Sequence, residues 1–377
     1  GPSMRIRRTA QAAVGLGLAL ALAACGANSA APAGGGAPAA PEVAADAPTV
    51  GVILPETESS ARWEGFDKPL LEEAMAAAGL DADVQNAQGD EQRFSTLADG
   101  FIAAGVDVLV IAAITSELGA DVAAKAKAQG IPTIDYDRLS LGGSSDYYVS
   151  FDNEAVGALQ GQGLAQALEG KQGAQVIEIR GAPTDNNATL FYNGALTVLQ
   201  PLYDSGALTQ VASQAIEDWD NQIGGTTFEQ LLVGNGGTVG GVLAANDGLA
   251  GAIITVLQKY GLNGTVPVTG QDATPDGLQA ILRGDQYMTV YKPIKAEAEA
   301  TAQLAAALAA GDTAAADAIA TGTVEDTEGN RQVKSVLLEP QLITRDNVSD
   351  VVEDGFAQAS EICVAETQAA CTELGIS

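Results

Sequence analysis

The sequence predicts an α/β protein made of two doubly wound lobes, each with a parallel sheet at its centre. Short continuous runs of β-branched and other apolar residues alternate with amphipathic stretches of helical period from residue 44 onward. The same rhythm restarts after about residue 153. Without its N-terminal leader the chain keeps roughly 350 residues, too many for one comfortable core and about right for two.

The leader occupies the first 24 residues. Gly1-Pro2-Ser3 has the look of a cloning scar ahead of the start Met4, and Arg5, Arg7 and Arg8 give a positive segment. Residues 10–21 are almost wholly apolar, and Leu22-Ala-Ala-Cys25 closes the stretch with small residues. The run is too short to cross a bilayer and no stop-transfer pattern follows, which is the pattern of a secretory signal. The placement of Cys25 resembles a bacterial lipobox, with cleavage before the cysteine and lipid on its sulfur. Residues 25–46, with their Gly, Ala and Pro tract over 28–41, read as a lipidated leash.

Each element then follows from its pattern. Residues 49–54 form a buried strand, 62–78 a helix stopped by Gly79, 106–112 a strand, 116–129 a helix stopped by Gly130, and 131–135 a strand. In the second series 174–179, 240–244 and 266–269 read as strands, and 187–202, 248–260 and 275–283 as helices. Continuous apolar strands linked by helices mean a sheet covered on both faces. Glycines 234, 236 and 237 follow a helix-like run and lack a Lys-Ser/Thr partner, so they read as a turn and not as a phosphate loop.

Composition removes several functions. The formal charge is −30, and loss of the three leader arginines makes it −33. Such a surface repels nucleic acid and anionic lipid. With no histidine in the chain, Ser-His-Asp and Cys-His nucleophile systems and His-based metal sites are excluded. Nothing calls for a cofactor or a metal. Cys363 and Cys371 are expected to pair in an exported protein. A straight helix would hold positions eight apart about 12 Å from each other, whereas a disulfide needs roughly 4.4–6.8 Å between Cα atoms. The chain must therefore bend back between them.

In open α/β sheets ligands sit beyond the carboxyl ends of the strands. In this chain those ends carry Glu56 to Trp63, Asp135 to Arg138, Gly181 to Asn187, Asn246-Asp247, Gly270-Gln-Asp272 and Tyr291-Lys-Pro293. Carboxylates accept from hydroxyls, Arg and Lys donate, and Asn does both. A sugar needs all three, because each buried unpaired hydroxyl costs about 1–3 kcal/mol. The two tryptophans, Trp63 and Trp219, both lie among polar strand-end residues and suit the apolar faces of a ring. Asp152 and Asn153 are set aside as hinge residues, Asp247 as the cap of the helix that follows it, and Asp135 as facing away from Asp137.

Taken together, Ser60-Ala-Arg-Trp63, Tyr136-Asp-Arg138, Ser150-Phe-Asp-Asn153, Asp185-Asn-Asn-Ala188, Asn246-Asp247, Gly270-Gln-Asp-Ala273 and Thr289-Val-Tyr-Lys-Pro293 resemble the motifs of periplasmic monosaccharide-binding proteins of ABC transporters. The likeness runs from about residue 49 to 356 and is nearest to the xylose and multiple-sugar types. It implies the type I periplasmic binding fold, with three hinge segments and a ligand cleft between the lobes. The implied lobes are 47–152 with 293–337, and 153–292 with 338–377. The implied sugar contacts are Arg62, Trp63, Asp137, Arg138, Asp185, Asn187, Trp219, Asn246, Asp272 and Lys292.

The function so implied is capture of a monosaccharide, D-xylose foremost, and its delivery to membrane permease subunits from the outer face of the cytoplasmic membrane. The protein would act as a monomer and touch the membrane only through its lipid. The alternative is a multiple-sugar receptor that reports to a sensor kinase or chemoreceptor. Residues 56–60 are nearer the multiple-sugar type and the short segment before Trp219 nearer the xylose type. A glycosidase built on Asp137, Asp185 and Asp272 is disfavoured, because Arg and Lys beside them hold carboxylates ionised and unfit as general acids. Micromolar binding is about −8.2 kcal/mol. A pentose of roughly ten heavy atoms must then yield about 0.8 kcal/mol per atom, inside the ceiling of about 1.5.

Overall fold

The computed structural model describes residues 42–58 and 62–377. The leader, the lipidation expectation at Cys25, the tract over 28–41 and the motif position Ser60 lie outside the described residues.

The chain begins with β1 (Thr49–Leu54), α1 (Lys68–Ala77), β2 (Asp81–Asn86), α2 (Glu91–Ala104), β3 (Val108–Ile111), α3 (Ser116–Ala128), β4 (Thr133–Tyr136) and β5 (Tyr147–Phe151). It crosses to a second body with α4 (Asn153–Ala167), β6 (Ala174–Arg180), α5 (Asn186–Asp204), β7 (Leu208–Ala215), α6 (Asn221–Gly234), β8 (Gly241–Ala244), α7 (Asp247–Lys259), α8 (Pro275–Arg283) and β9 (Met288–Tyr291). It returns for α9 (Ile294–Ala309), α10 (Thr313–Ile319), β10 (Gly322–Asp326) and β11 (Arg331–Leu338). A third crossing leads to β12 (Gln341–Thr344), α11 (Val348–Glu353), α12 (Ala359–Ile362) and α13 (Gln368–Leu374). This is the type I periplasmic binding fold, two α/β lobes joined by three segments.

The first sheet has the order β10-β11-β5-β4-β3-β1-β2 and is parallel except for the β10–β11 pair. Its apolar strands serve two cores. Val50, Val52 and Leu54 pack under α1 and α9, whereas Ile53 faces α2 and α3. Val108 and Val110 likewise separate from Leu109 and Ile111. Side chains alternate across a strand, so a strand buried on both faces reads as continuously apolar. Each such side chain contributes about 1.5–3 kcal/mol on burial.

The second lobe centres on β7-β6-β8, all parallel, with β9 and β12 as an antiparallel pair beside it. The strand expected over 266–269 is reduced to a single parallel bridge between Val242 and Val268. The sheet's neighbours α4 and α5 are in backbone contact. A Cβ on Gly157 would lie 1.8 Å from the Phe191 carbonyl oxygen, and one on Gly194 would lie 2.0 Å from that of Glu154. No side chain fits there, so the glycines set the distance between the two helices.

Residues 62–78 are not one α-helix. Trp63–Asp67 winds as a π-helical turn, with the Lys68 N–H bonded to the Trp63 carbonyl, and α1 starts only at Lys68 with Pro69 in its first turn. Residues 235–237 form the expected turn, with Gly236 and Gly237 both left-handed at φ 74°. Cys363 and Cys371 are bonded with their Cα atoms 6.0 Å apart, and the chain bends between α12 and α13 to bring them together.

Substitution of Gly157 by Ala is expected to cost about 2–3 kcal/mol, at the upper end for overpacking, because the obstacle is backbone. Urea unfolding measures it, and an unchanged midpoint would show that α4 and α5 separate freely.

Candidate functional site

All ten residues singled out from the sequence line one cavity between the lobes, with an empty volume of about 340 Å³. They arrive from the carboxyl ends of β1, β4, β6, β8 and β9 and from the loops at Trp219 and Asp272. Two further residues, Phe191 and Gln271, complete the lining.

The first lobe contributes a buried charge network. Arg62 grips Asp67 with two bonds, Nε–Oδ2 at 2.8 Å and Nη2–Oδ1 at 2.7 Å. Its Nη1 donates to Asp137 Oδ1 at 2.9 Å and its Nη2 lies 3.3 Å from Glu297 Oε2. The π turn makes the Asp67 grip possible, because a turn of i to i+5 pitch returns Asp67 beneath Arg62. Tyr136 also donates its hydroxyl to Asp67. Three buried carboxylates around one guanidinium carry two negative charges too many for an apolar interior, unless Lys292 and a proton balance them. Burial opposes ionisation of Asp137, but Arg62 and Lys292 overcome it and hold its carboxyl at about 2. Glu297 goes the other way: burial, then the charge of Asp137, push it well above the usual carboxylate range. A proton held by Glu297 would relieve this crowding of carboxyl groups.

Arg138 is held by Ala113 O at 3.0 Å and Glu56 Oε1 at 3.0 Å, and its Nε lies 3.5 Å from Asp185 Oδ2 across the cleft. Trp63 supplies one aromatic wall, with the guanidinium carbons of Arg62 and Arg138 at 4.3 and 5.3 Å from its ring centre. The other wall is Trp219, set edge-on to Phe191 with centroids 6.2 Å apart. Trp219 Nε1 donates to Asp185 Oδ2 at 3.0 Å. Its ring packs against Gly181, where a Cβ would come within 2.3 Å of it.

Asp185 also accepts from the Asn187 N–H at 2.9 Å, which caps α5. Asn187 links the lobes. Its Nδ2 donates to the Asp137 carbonyl at 2.8 Å and to Asp137 Oδ2 at 3.3 Å, and its Oδ1 accepts from Tyr148 and Asn153. The amide is fully used by the protein, so in this state Asn187 works as a strut across the cleft. Lys292 Nζ lies 3.3 Å from Asp272 Oδ1 and 5.7 Å from the Phe191 ring centre.

The backbone is unusual at the same places. Asp137, Trp219 and Asp272 all have positive φ, at 65°, 56° and 101°, as do Asp218 and Ala273. Left-handed non-glycine residues carry strain of about 1–3 kcal/mol each and cluster at functional sites. Asp247 supports this strain: its carboxylate accepts from Thr274 N–H at 2.9 Å, Gln286 at 2.8 Å and Thr289 at 2.8 Å, which pins the loop that carries Asp272.

The residues set aside from the sequence need two corrections of reason. Asn246, not Asp247, caps α7, accepting from the Leu249 N–H at 2.9 Å. Asp135 lies away from the cavity, bonded to Ser140 and Ser145. Strand alternation is not the cause, since residues two apart share a face. The left-handed turn at Asp137 redirects the chain there. Asn153 is more than a hinge residue, since it orients Asn187. Sequence reasoning missed Asp67, Phe191, Gln271 and Glu297. Phe191 was within reach, being four residues beyond Asn187 on one helix face. Glu297 and Asp67 had no local signal.

With the geometry in view, comparison with known proteins is direct. Residues 50–313 match the family described as periplasmic binding protein domain, and the chain belongs to that family. It is 36% identical to the D-xylose-binding periplasmic protein of Escherichia coli (strain K12) over 302 residues, 80% of this chain and 88% of that one. It is 37% identical to the multiple sugar-binding periplasmic protein SbpA of Azospirillum brasilense, over 84% of this chain and 91% of that one. A carbohydrate transporter solute binding protein from Chloroflexus aurantiacus, solved with D-glucose, superposes with a TM-score of 0.75 at 30% identity, covering 83% of this chain and 97% of its own. The chain is a binding protein and not an enzyme. Among the described residues no helix is long and apolar enough to cross a membrane.

The proton on Glu297 is open to test. Folded protein holds a proton that the unfolded chain releases above about pH 4.3, so this group lowers stability as pH rises past that value. Asp137 acts oppositely: its contribution is present above about pH 3.9 and is lost as pH falls towards about 2. Glu297→Gln should flatten the decline in urea-unfolding free energy between pH 5 and 8 and leave ligand affinity within about threefold. Glu297→Ala should weaken binding by about tenfold or more by releasing Arg62 and Asp137. Equal pH slopes for wild type and Glu297→Gln would show that Glu297 is ionised.

Proposed function

We propose that the chain is an exported solute-binding protein that captures a neutral monosaccharide, D-xylose foremost, between its lobes and delivers it to an ABC-type importer. One observation carries the reading. Three cations, Arg62, Arg138 and Lys292, alternate with three carboxylates, Asp137, Asp185 and Asp272, between two aromatic walls in one small cavity. Near neutrality suits an uncharged ligand, the mixed donors and acceptors suit hydroxyls, and Trp63 and Trp219 suit the C–H faces of a ring.

In this reading residues 47–152 with 293–337 and residues 153–292 with 338–377 move as two bodies about the three crossings. Sugar contacts both only when they close, so it shifts the population towards the closed form. Lipid on Cys25 would hold the monomer at the outer face of the cytoplasmic membrane, within reach of the permease subunits. The second reading, a multiple-sugar receptor feeding a sensor kinase or chemoreceptor, draws support from the multiple-sugar relative and from the glucose complex of the Chloroflexus protein.

Calorimetric titration of ligand-stripped protein separates the two. Tight D-xylose with weak D-glucose is the result for a pentose importer, comparable binding of both for a multiple-sugar receptor, and binding of neither sinks the pyranose assignment. In the same assay Asp272→Ala, which strips Lys292 of its carboxylate and a hydroxyl of its acceptor, should lose at least about 100-fold in affinity. Unchanged affinity would remove Asp272 from the site.

A further inference from the structure

The C-terminal tail runs from the last part of the family resemblance past its end at about residue 356, and it touches the site from behind at three points. Its core consists of Val348, Val351, Ile362, Cys371 and Ile376, packed on Leu278, Ile281 and Leu282 of α8. Ala273, next to Asp272, and Tyr291, next to Lys292, belong to the same cluster. Tyr291 donates its hydroxyl to Asp354 in the tail at 2.9 Å. The third point crosses the lobes. Phe356, in the tail, stacks on Phe66 of the first lobe with ring centres 4.4 Å apart and planes 21° apart, while its other neighbour is Tyr291 at 5.2 Å. Phe66 stands in the π turn between Trp63, a cavity wall, and Asp67, the clamp on Arg62.

We infer that Phe356 is a positioning residue: the disulfide-closed tail presents it as a non-covalent latch that holds the first lobe's Arg62–Trp63 turn against the second lobe when the cleft is shut. Phe66 and Phe356 are each half-buried, and no backbone joins their segments near the contact. Separating the lobes at this point would expose both ring faces to water. Closing them restores a stacked pair, and such pairs add to the plain burial of their area. The Cys363–Cys371 bond closes the segment that buries Ile362 and Cys371 against α8, which keeps the latch on its mount. The tail thus joins Asp272, Lys292 and the Arg62 turn to one apolar support.

This inference rests on capture by lobe closure. It is tested with the full chain, D-xylose and D-glucose as probes, and stopped-flow fluorescence of Trp63 and Trp219. Phe356→Ala and Phe66→Ala should each raise the dissociation rate by roughly tenfold and leave the association rate within about twofold. The double variant should be no worse than either single one, as for two halves of one contact. Phe356→Leu, which keeps apolar volume under the tail, guards against misfolding: it should melt within a few degrees of wild type and still release sugar faster. Ligand-free Phe356→Ala should also show a larger radius of gyration by small-angle scattering, since the latch favours the shut form without sugar as well. Unchanged dissociation rates, or effects of the two alanines that simply add, would overturn the latch. If wild type binds neither sugar, the sugar reading fails and the ligand-free radius alone decides: equal radii overturn the latch, a larger radius in the variant upholds it.

Discussion

The site depends on the way one guanidinium is held. Arg62 is buried and cannot lose its charge, so the interior around it must supply carboxylates or it would not fold there. Asp67 provides the bidentate grip, Asp137 faces the cavity, and Glu297 comes from the far side of a crossing segment. Burial and the charge of Asp137 push Glu297 well above the usual carboxylate range, the direction that relieves the surplus negative charge. The result is a rigid Asp137, ionised and aimed, with its carbonyl and carboxylate both engaged by Asn187 of the other lobe. A binding site for small neutral ligands gains from this rigidity, because a fixed dipole array loses little order when the ligand arrives.

Strain and support are distributed around that network. Left-handed backbone at Asp137, Trp219 and Asp272 aims side chains that a regular strand end would point elsewhere. Each is over-determined by its surroundings. Asp137 is tied through Tyr148, Ser150 and Asn187, Trp219 through Gly181 and Asp185, and the Asp272 loop through Asp247. The supports lie in strands and helices that pack into the apolar cores of each lobe.

Much of this was legible along the chain. Buried central strands such as β1, β3, β6 and β8 announce themselves, since burial on both faces demands continuous apolar sequence. Strands β2 and β7 were missed for the same reason in reverse: Asp81–Asn86 and Leu208–Ala215 lie at sheet edges, mostly part-exposed, and their polar sequences follow no apolar rule. The ten cavity residues were legible through the motif resemblance, which falls on charged, aromatic and amide groups at strand ends in an Ala-rich chain. The π turn was not, because Trp63–Asp67 has ordinary helical composition and its extra residue is imposed by the pull of Arg62 on Asp67.

By itself the sequence determined the class of fold, the ends of the strands where a ligand is met, and the chemical kinds of group that meet it. These follow from local pattern, since burial and hydrogen-bonding capacity are properties of residues and their spacing. Only the tertiary structure decided that Glu297 and Asp67 share Arg62, that Asn187 serves as a strut between lobes, and that Phe356 reaches Phe66. Those pairs stand 235, 5, 50 and about 290 positions apart in the chain. Three of the four become neighbours only when long-range packing brings separate elements together; the fourth needs the π turn, which that packing holds in place.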